Sequence, residues 1–241
     1  MEHFLSLLQW GDKGWGDEIF YGACLTLALA LCTLPFGLLI GLLMALAKAS
    51  GNRLLVLLSN VYTTLFRSLP ELLTILIVYY GGQNLLNRLL ALVLGHDPDL
   101  QVNSFVAGMV ALGAVLGAFS GEVWLGALRA VPKGQREGAY ALGLSPSRCF
   151  RLVVFPQLVR LALPGLGNNW MSLLKDTSLI SAISLGDLMY VSKTAVINNP
   201  SYSFHFYLLC CLLYLVMALA SGRLIGALER RGNRGFARAR A

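Results

Sequence analysis

The chain has 241 residues, of which 56% are hydrophobic and only 13% are charged. Soluble domains carry about 25% charged residues, so a chain this apolar would expose more hydrophobic surface than water tolerates, and a lipid bilayer is its expected solvent. The net charge of +7 comes from basic residues in loops beside apolar segments rather than from one continuous basic face, which argues against a nucleic-acid partner.

Five apolar segments are each long enough to cross the hydrocarbon core of a bilayer as a helix, which takes about 20 residues. They predict an all-α, polytopic membrane protein with five transmembrane helices. The segments cover residues 19–47, 54–86, 105–128, 158–185 and 204–228. Pro35 is expected to kink the first span, and Pro70 lies inside the second.

The first apolar segment is expected to be retained rather than cleaved. Residues 1–18 hold several acids and a single lysine, whereas a secretory leader starts with basic residues. The expected organisation is an outer N-terminal segment (1–18), a transmembrane domain (19–230) with its longest inner loop at about 129–157, and a basic inner tail (231–241).

Two pairs of glycines in the spans have the spacing GxxxG. Gly37 and Gly41 lie in the first span, and Gly113 and Gly117 lie in the third. Because this spacing lets helices approach closely, we interpret these glycines as packing positions.

The distribution of basic residues predicts the orientation. With five spans, the two termini face opposite sides of the membrane. If the N-terminus is outside, the inner segments hold fourteen basic residues and the outer ones hold three, Lys13, Arg88 and Lys193. The fourteen are Lys48, Arg53, Arg129, Lys133, Arg136, Arg148, Arg151, Arg160, Arg223, Arg230, Arg231, Arg234, Arg238 and Arg240. The positive-inside rule then predicts that the N-terminus is out and the C-terminus is in.

The long inner loop contains a short, Ala- and Gly-rich helical segment with a charged border. Residues 135–142 predict a helix that ends at Gly143, because a helix C-terminus favours a residue that is free to take positive φ. Ser145 or Ser147 is expected to cap a second short helix, with Pro146 in its first turn. Two short helices at the inner surface would press against a soluble partner.

Ionisable residues inside the spans are the other signal, because each is costly unless it is paired or faces water. Arg67 and Glu71 are four residues apart and would share one helix face. Either they form an internal ion pair at Pro70, or Glu71 faces a polar pathway and awaits a cation. Glu122 shows no local partner in its span and is expected to face the bundle interior.

The polar end of the fourth span contains Lys175 and Asp176, close to Asn168 and Asn169. A helix this polar is expected to line a cavity or a subunit interface rather than face lipid.

The sequence contains no GxxxxGK[ST], GxSxG or HExxH motif, and its three histidines are far apart. We therefore expect a chain that is not itself an enzyme and that holds no cofactor.

Several motifs together resemble the permease subunits of ABC importers. Glu137-Gly138-Ala139, followed by Gly143 and then Phe155-Pro156, is similar to the "EAA" loop of that family, with Gly138 in place of the usual alanine. Residues 62–72, 132–135, 168–170 and 175–179 resemble signatures of the polar amino-acid uptake subfamily. The likeness is greatest to permeases for basic amino acids (the histidine/lysine/arginine/ornithine type) and for opines.

The resemblance implies a type I importer permease in a bacterial inner membrane, with residues 1–18 periplasmic. It implies a second permease subunit, a paralogue or a copy, two ATPase subunits that use ATP and magnesium, and a periplasmic substrate-binding protein. Glu137, Gly138, Ala139 and Gly143 would belong to the coupling helix that docks in an ATPase cleft.

The same resemblance suggests roles for residues in the spans. Glu71, Glu122, Lys175 and Asp176 are candidates for the substrate pathway, and Arg67, Pro70 and Pro156 for structural roles. The family often has an arginine where this chain has Leu125, which leaves the role of Glu122 open. Relatives for neutral or acidic substrates usually have an uncharged residue at the position of Glu71, so an acid there favours a cationic substrate.

Three other functions compete with this one. A self-contained ion-coupled carrier would need an inverted repeat and paired broken helices, which the sequence does not show. A membrane-embedded enzyme would need catalytic residues at one depth. A structural adaptor would explain the glycines but not the acids in the spans. The basic tail is expected either to contact anionic lipid or to act only as a topology signal.

Overall fold

A computed structural model describes residues 2–11, 14–94, 96 and 100–233, and this part of the chain contains helices and loops but no strand. The α-helices are α1 (Glu2–Ser6), α2 (Gly16–Ala49), α3 (Arg53–Ser68), α4 (Glu71–Leu76), α5 (Gly82–Leu94), α6 (Ser104–Ala130), α7 (Lys133–Ala141), α8 (Pro146–Cys149), α9 (Phe155–Asp176), α10 (Leu188–Asn198) and α11 (Ser203–Asn233). Two π-helical segments (Ile77–Gly81 and Phe150–Val154) and two 3₁₀ segments (Thr177–Ile183 and Pro200–Tyr202) lie between them.

All five predicted apolar segments are mostly helical. Four continuous helical stretches are long and apolar enough to cross a membrane, and a bent pair of helices gives a fifth crossing if it is counted as one span. The four are Gly16–Ala49, Ser104–Ala130, Pro146–Ile183 and Pro200–Gly232. The all-α prediction is therefore confirmed, and the structure agrees with five spans when the bent pair is counted as one. Helix α2 runs through Pro35 without interruption.

The second span is not the single kinked helix that the sequence predicts. Arg53–Ser68 and Glu71–Leu94 meet at an angle of 116°. Leu69 and Pro70 are extended, with ψ of 146° and 131°. The physical reason is that proline disfavours a helical conformation in the residue before it and has no N–H of its own to donate.

The inner loop also differs from the prediction, because it holds one separate short helix rather than two. Pro146 is in the first turn of α8, but α8 continues through Phe150–Val154 into α9, so the fourth span begins at Pro146 instead of residue 158. A wide π-turn before Pro156 accommodates a ring that would clash with the preceding turn of a regular helix. Pro156 is therefore held inside a continuous helical run.

Helix α10 lies between the fourth and fifth spans and was not predicted. Asp187 caps it, since its carboxylate accepts hydrogen bonds from the backbone N–H groups of Tyr190 (3.0 Å) and Met189 (3.3 Å). Burial raises the pKa of the Asp187 carboxyl to about 6, and these hydrogen bonds act in the opposite direction. The backbone N–H of Leu188 donates to Thr26 Oγ1 (3.1 Å), which ties α10 to α2.

Buried side chains form three clusters, and α2 passes through all of them in order. Ile19 belongs to the cluster with α10 and α11, Leu29 to the middle cluster, and Ala45 to the cluster at the end of α6. The clusters are therefore stacked along the bundle. On the outer face of α11, five aliphatic side chains are 48–64% exposed, as expected for contact with lipid: Leu212, Leu215, Val216, Leu219 and Leu224.

The two predicted glycine pairs form the contact between α2 and α6. A Cβ at Gly117 would lie 2.6 Å from Ile40 Cγ2, and one at Gly41 would lie 2.8 Å from the backbone nitrogen of Gly121. At these distances a methyl group does not fit, so each position accommodates only the hydrogen of glycine. The close approach is fixed by hydrogen bonds to carbonyl groups of α2, from Ser120 Oγ to Gly37 and from Trp124 Nε1 to Leu38 (both 3.2 Å).

Replacement of Gly41 should therefore separate the two helices. Gly41→Ala is expected to lower the stability of the folded chain by about 1–3 kcal/mol, because the new methyl group meets backbone as well as Ser120. The apparent unfolding temperature in detergent measures this. Gly126→Ala, on α6 with no atom within 4 Å of the added Cβ, is the control. Similar unfolding temperatures for the two variants would contradict the packing role.

Candidate functional site

Helix α7 is a separate short helix that packs, through Ala139, on the cluster at the ends of α6 and α9. Pro132 precedes its first residue, and Gly143 follows it with φ of +77°. The N–H of Gly143 donates to the carbonyl of Tyr140, and the N–H of Leu144 donates to that of Ala139. This pair of bonds is the Schellman motif, whose left-handed position favours glycine, so the predicted helix end at Gly143 is confirmed.

One face of α7 is buried and the opposite face is free. Ala139 is 4% exposed and belongs to the buried cluster at the ends of α6 and α9. Glu137 and Gly138 are exposed, and Tyr140 and Leu142 are 50% and 83% exposed. Large apolar side chains at the surface of a loop indicate a contact with another molecule.

A first cavity, the acidic cavity, lies between α4, α6 and α9 and encloses about 430 Å³ of empty space. Its polar lining is Glu71, Asn169, Ser172 and Asp176, and its apolar lining is Leu112, Val115, Leu116, Phe119 and Leu173. No lysine or arginine among the described residues lines it. The carboxyl groups of Glu71 and Asp176 interact with each other, and Asn169 Nδ2 is buried without a hydrogen-bond partner.

The backbone breaks described above place these carboxyl groups. Glu71 is the first residue after the break at Pro70, and Asp176 is the last residue of α9 before the chain tightens into a 3₁₀ segment. Both therefore come from the ends of helices, where side chains of different elements can converge. Lys175, which the sequence grouped with Asp176, is exposed and does not line the acidic cavity.

One of the two alternatives for Arg67 and Glu71, an internal ion pair between them, does not form between these two described residues. The two residues lie on separate helices, and the ionic partner of Arg67 is Glu122, at 3.8 Å from Nη1 to Oε1. Of the two alternatives that the sequence left open, the structure favours the one in which Glu71 faces a polar cavity.

Glu122 has a partner on another helix, which the sequence analysis did not identify. Lys48 Nζ donates to Glu122 Oε1 at 2.5 Å and to Thr63 Oγ1 at 2.7 Å, which joins α2, α3 and α6. The sequence assigned Lys48 to an inner loop, but its side chain is only 8% exposed. The connection between α2 and α3 spans just Ser50 to Asn52, so Lys48 remains within the bundle, and that short interval is the signal that was missed.

A second cavity, the basic cavity, lies between α3 and α6 and encloses about 630 Å³ of empty space. It is lined by Lys48, Val56, Asn60, Thr63, Thr64, Arg67, Glu122, Leu125 and Arg129. The guanidinium carbon of Arg67 lies 5.6 Å from the centre of the Phe119 ring, and Phe119 also lines the acidic cavity. The two cavities are therefore neighbours on either side of the contact between Arg67 and Phe119, a residue that the sequence analysis did not single out.

A bundle of apolar helices with charged groups in its cavities is expected of a membrane transport subunit, because ionisable residues within spans mark solute pathways. Residues 37–234 match the family described as binding-protein-dependent transport system inner membrane component, and the chain belongs to this family. It is thus the membrane-embedded part of an ABC importer, a class that works with ATPase, binding-protein and permease partners.

Individual relatives extend over almost the whole chain. The chain is 42% identical over 231 residues to the nopaline transport system permease protein of Agrobacterium fabrum, covering 96% of this chain and 98% of the relative. It is 40% identical to the histidine/lysine/arginine/ornithine transport system permease protein of Salmonella typhimurium, covering 94% and 98%. A crystal structure of an amino acid ABC transporter with histidines superposes with a TM-score of 0.74 at 28% identity, covering 90% of this chain and 95% of that one.

The triad of Lys48, Glu122 and Arg67 gives a test of the site. Glu122→Gln leaves Lys48 without its counter-charge and should lower stability by about 2 kcal/mol, between the values for exposed and for buried pairs. The value is intermediate because the side chains of Lys48 and Glu122 are 8% and 36% exposed. The double variant Lys48→Met/Glu122→Gln should recover most of the loss, since the buried ammonium group of Lys48 is removed together with its counter-charge. Unfolding temperatures in detergent provide the comparison, and equal losses in both variants would refute the pairing.

Proposed function

We propose that this chain is the permease subunit through which a bacterial ABC importer takes up a basic amino acid or a related opine, with Glu71 and Asp176 at the cargo site. The observation that carries the proposal is the acidic cavity. Two carboxyl groups from different helices face one space, and no basic residue among those described lines it.

The electrostatics of this cavity favour a cation. Two carboxylates that approach each other in a medium of low dielectric repel, and a bound positive charge relieves the repulsion. A guanidinium or ammonium group gives up its hydration on entry and needs such compensation. The apolar lining, which includes Leu116 and Phe119, suits the aliphatic stem of a basic side chain.

The relatives support a cargo of this chemistry. The names of similar permeases refer to nopaline, to histidine, lysine, arginine and ornithine, and to octopine. An acid at position 71 agrees with a cationic cargo, because Glu71 follows the break at Pro70 and lines the acidic cavity. Of the four pathway candidates, the structure supports Glu71 and Asp176 at the cargo site and Glu122 beside it, whereas Lys175 gains no support.

The energy of ATP hydrolysis would be transmitted to this chain through α7. We infer that Glu137, Gly138, Ala139 and Gly143 form a coupling helix that docks on one of two ATPase subunits, which supply the ATP and magnesium. Support comes from the exposed face around Gly138 and from the buried cluster that joins α7 to the spans. A second permease subunit, a paralogue or a copy, and a periplasmic binding protein complete the assembly in the inner membrane. Closure of the ATPases would then move the spans as rigid bodies.

Removal of either carboxylate in the acidic cavity should impair transport. For Glu71→Gln and for Asp176→Asn we expect kcat/KM for L-arginine uptake to fall about 10- to 100-fold, the range for lost hydrogen bonds to charged groups. Uptake by proteoliposomes that contain the full importer and its binding protein measures this at limiting substrate. Glu229→Gln, which removes an acid at the far end of α11, is the control. Undiminished uptake by the two cavity variants would exclude this cargo site.

The coupling role predicts that a large side chain at Gly138 blocks docking. A Cβ there meets no atom within 4 Å, so Gly138→Leu should fold normally yet fail to retain the ATPase. Purification of the permease from detergent, with quantification of the bound ATPase, tests this. Gly82→Leu, at another glycine with open surroundings, should retain the ATPase. Full retention by Gly138→Leu would place the docking surface elsewhere.

A further inference from the structure

The basic cavity carries more positive charge than its acid can balance. Lys48, Arg67 and Arg129 line it together with one carboxylate, Glu122. A neighbouring cavity shares Lys48 and Arg129 and adds Lys133 and Arg136, with no acid among its described lining residues. The three cations that line the basic cavity outnumber its one acid, so this region is suited to a ligand with a negative group.

Arg67 is the cation best placed to receive such a group. Glu122 presents the same oxygen, Oε1, to Lys48 at 2.5 Å and to Arg67 at 3.8 Å, so Lys48 holds most of its charge. The side chain of Arg67 is 45% exposed, and its described contacts are this loose ion pair and the ring of Phe119. Its planar guanidinium keeps several N–H donors available for a carboxylate, which it can bind through two parallel hydrogen bonds.

The cargo proposed above has charges of both signs. A basic amino acid carries a cationic side chain and an α-carboxylate, and the acidic cavity repels the carboxylate while it attracts the side chain. Within that cavity Asn169 offers a neutral donor, but no cation among the described residues neutralises a carboxylate. A compensating charge must come from beside the cavity, and Arg67 lies there, across Phe119.

We propose that Arg67 is the anchor for the α-carboxylate of the cargo, so that the acidic and basic cavities act as two halves of one binding site for a zwitterionic basic amino acid. This proposal rests on the proposed function, because it assumes a cationic amino acid in the acidic cavity. Phe119 lines the acidic cavity, and its ring contacts the guanidinium group of Arg67 in the basic cavity. Specificity for an amino acid over a simple amine would then be a property of the permease as well as of the binding protein.

Direct binding to the complete permease–ATPase complex in nanodiscs, without binding protein, tests the anchor. The probes are L-arginine and agmatine, which is the same molecule without the α-carboxylate. The unmodified complex should bind arginine more tightly than agmatine. In Arg67→Gln the affinity for arginine should fall about tenfold while that for agmatine changes less than about twofold, since one charge-assisted interaction is lost.

Two further variants separate the anchor from a structural role. Arg67→Lys keeps the charge and should restore part of the preference for arginine, although it loses the two-bond geometry. Arg223→Gln, an exposed arginine of α11 outside both cavities, should behave as the unmodified complex. Unfolding temperatures of all complexes report any general loss of structure.

The outcomes are distinct. Equal weakening of arginine and agmatine by Arg67→Gln would make Arg67 a structural residue and overturn the proposal. Tighter binding of both probes would make it an electrostatic barrier to cations and would also overturn it. If the unmodified complex bound agmatine as tightly as arginine, the cargo site would be supported and the anchoring role of Arg67 would be refuted. If it bound neither probe, both the anchoring role and the proposed function would be refuted.

Discussion

An ionised side chain inside an apolar bundle must be compensated, and this constraint organises the interior of the protein. Removal of a charge from water costs several kcal/mol even after the structure relaxes, which is comparable to the free energy of unfolding of a whole domain. The two cavities meet the constraint in different ways. Lys48 and Glu122 neutralise each other at 2.5 Å, whereas Glu71 and Asp176 share a space that contains no cation among the described residues. The compensated pair explains how three helices stay together, and the uncompensated pair indicates where a ligand belongs.

Departures from regular helix geometry put these charges in place. Pro70 breaks the second span and frees Glu71 from the face that it would have shared with Arg67. The 3₁₀ segment after Asp176 ends the regular part of the fourth span beside that break. In a membrane, irregular backbone is tolerated where it is buried in protein or lines a cavity. The coincidence of both irregular segments with the acidic cavity is therefore consistent with a site that opens to polar solute.

The sequence predicted the spans, the glycine contacts of α2 with α6 and the helix end at Gly143, because each depends on a local pattern of hydrophobicity or small residues. The sequence did not predict ion pairs between side chains that are far apart in the chain. Nothing near Glu122 in the chain points to Lys48, which is 74 residues away. The proline at position 70 indicated a break in the second span. The angle of 116°, however, depends on what the second half of the span packs against. Local sequence patterns thus predict the helices well and the ionic partners of their side chains poorly.

Helix α6 connects the two ends of the proposed mechanism. Its residues Leu125 and Leu128 lie in the same buried cluster as Ala139 of α7, and its residues Glu122 and Phe119 lie one and two turns further into the bundle. Under the proposed coupling, an ATPase that displaces α7 acts on a close-packed cluster, and such clusters transmit displacement because they do not compress. The first groups to move would be Glu122, which holds Lys48 and Arg67, and then Phe119, which borders the acidic cavity. The same helix would thus loosen the ion pairs and reshape the cargo site in one motion, which gives a reason for charged groups to stand at this depth of the bundle.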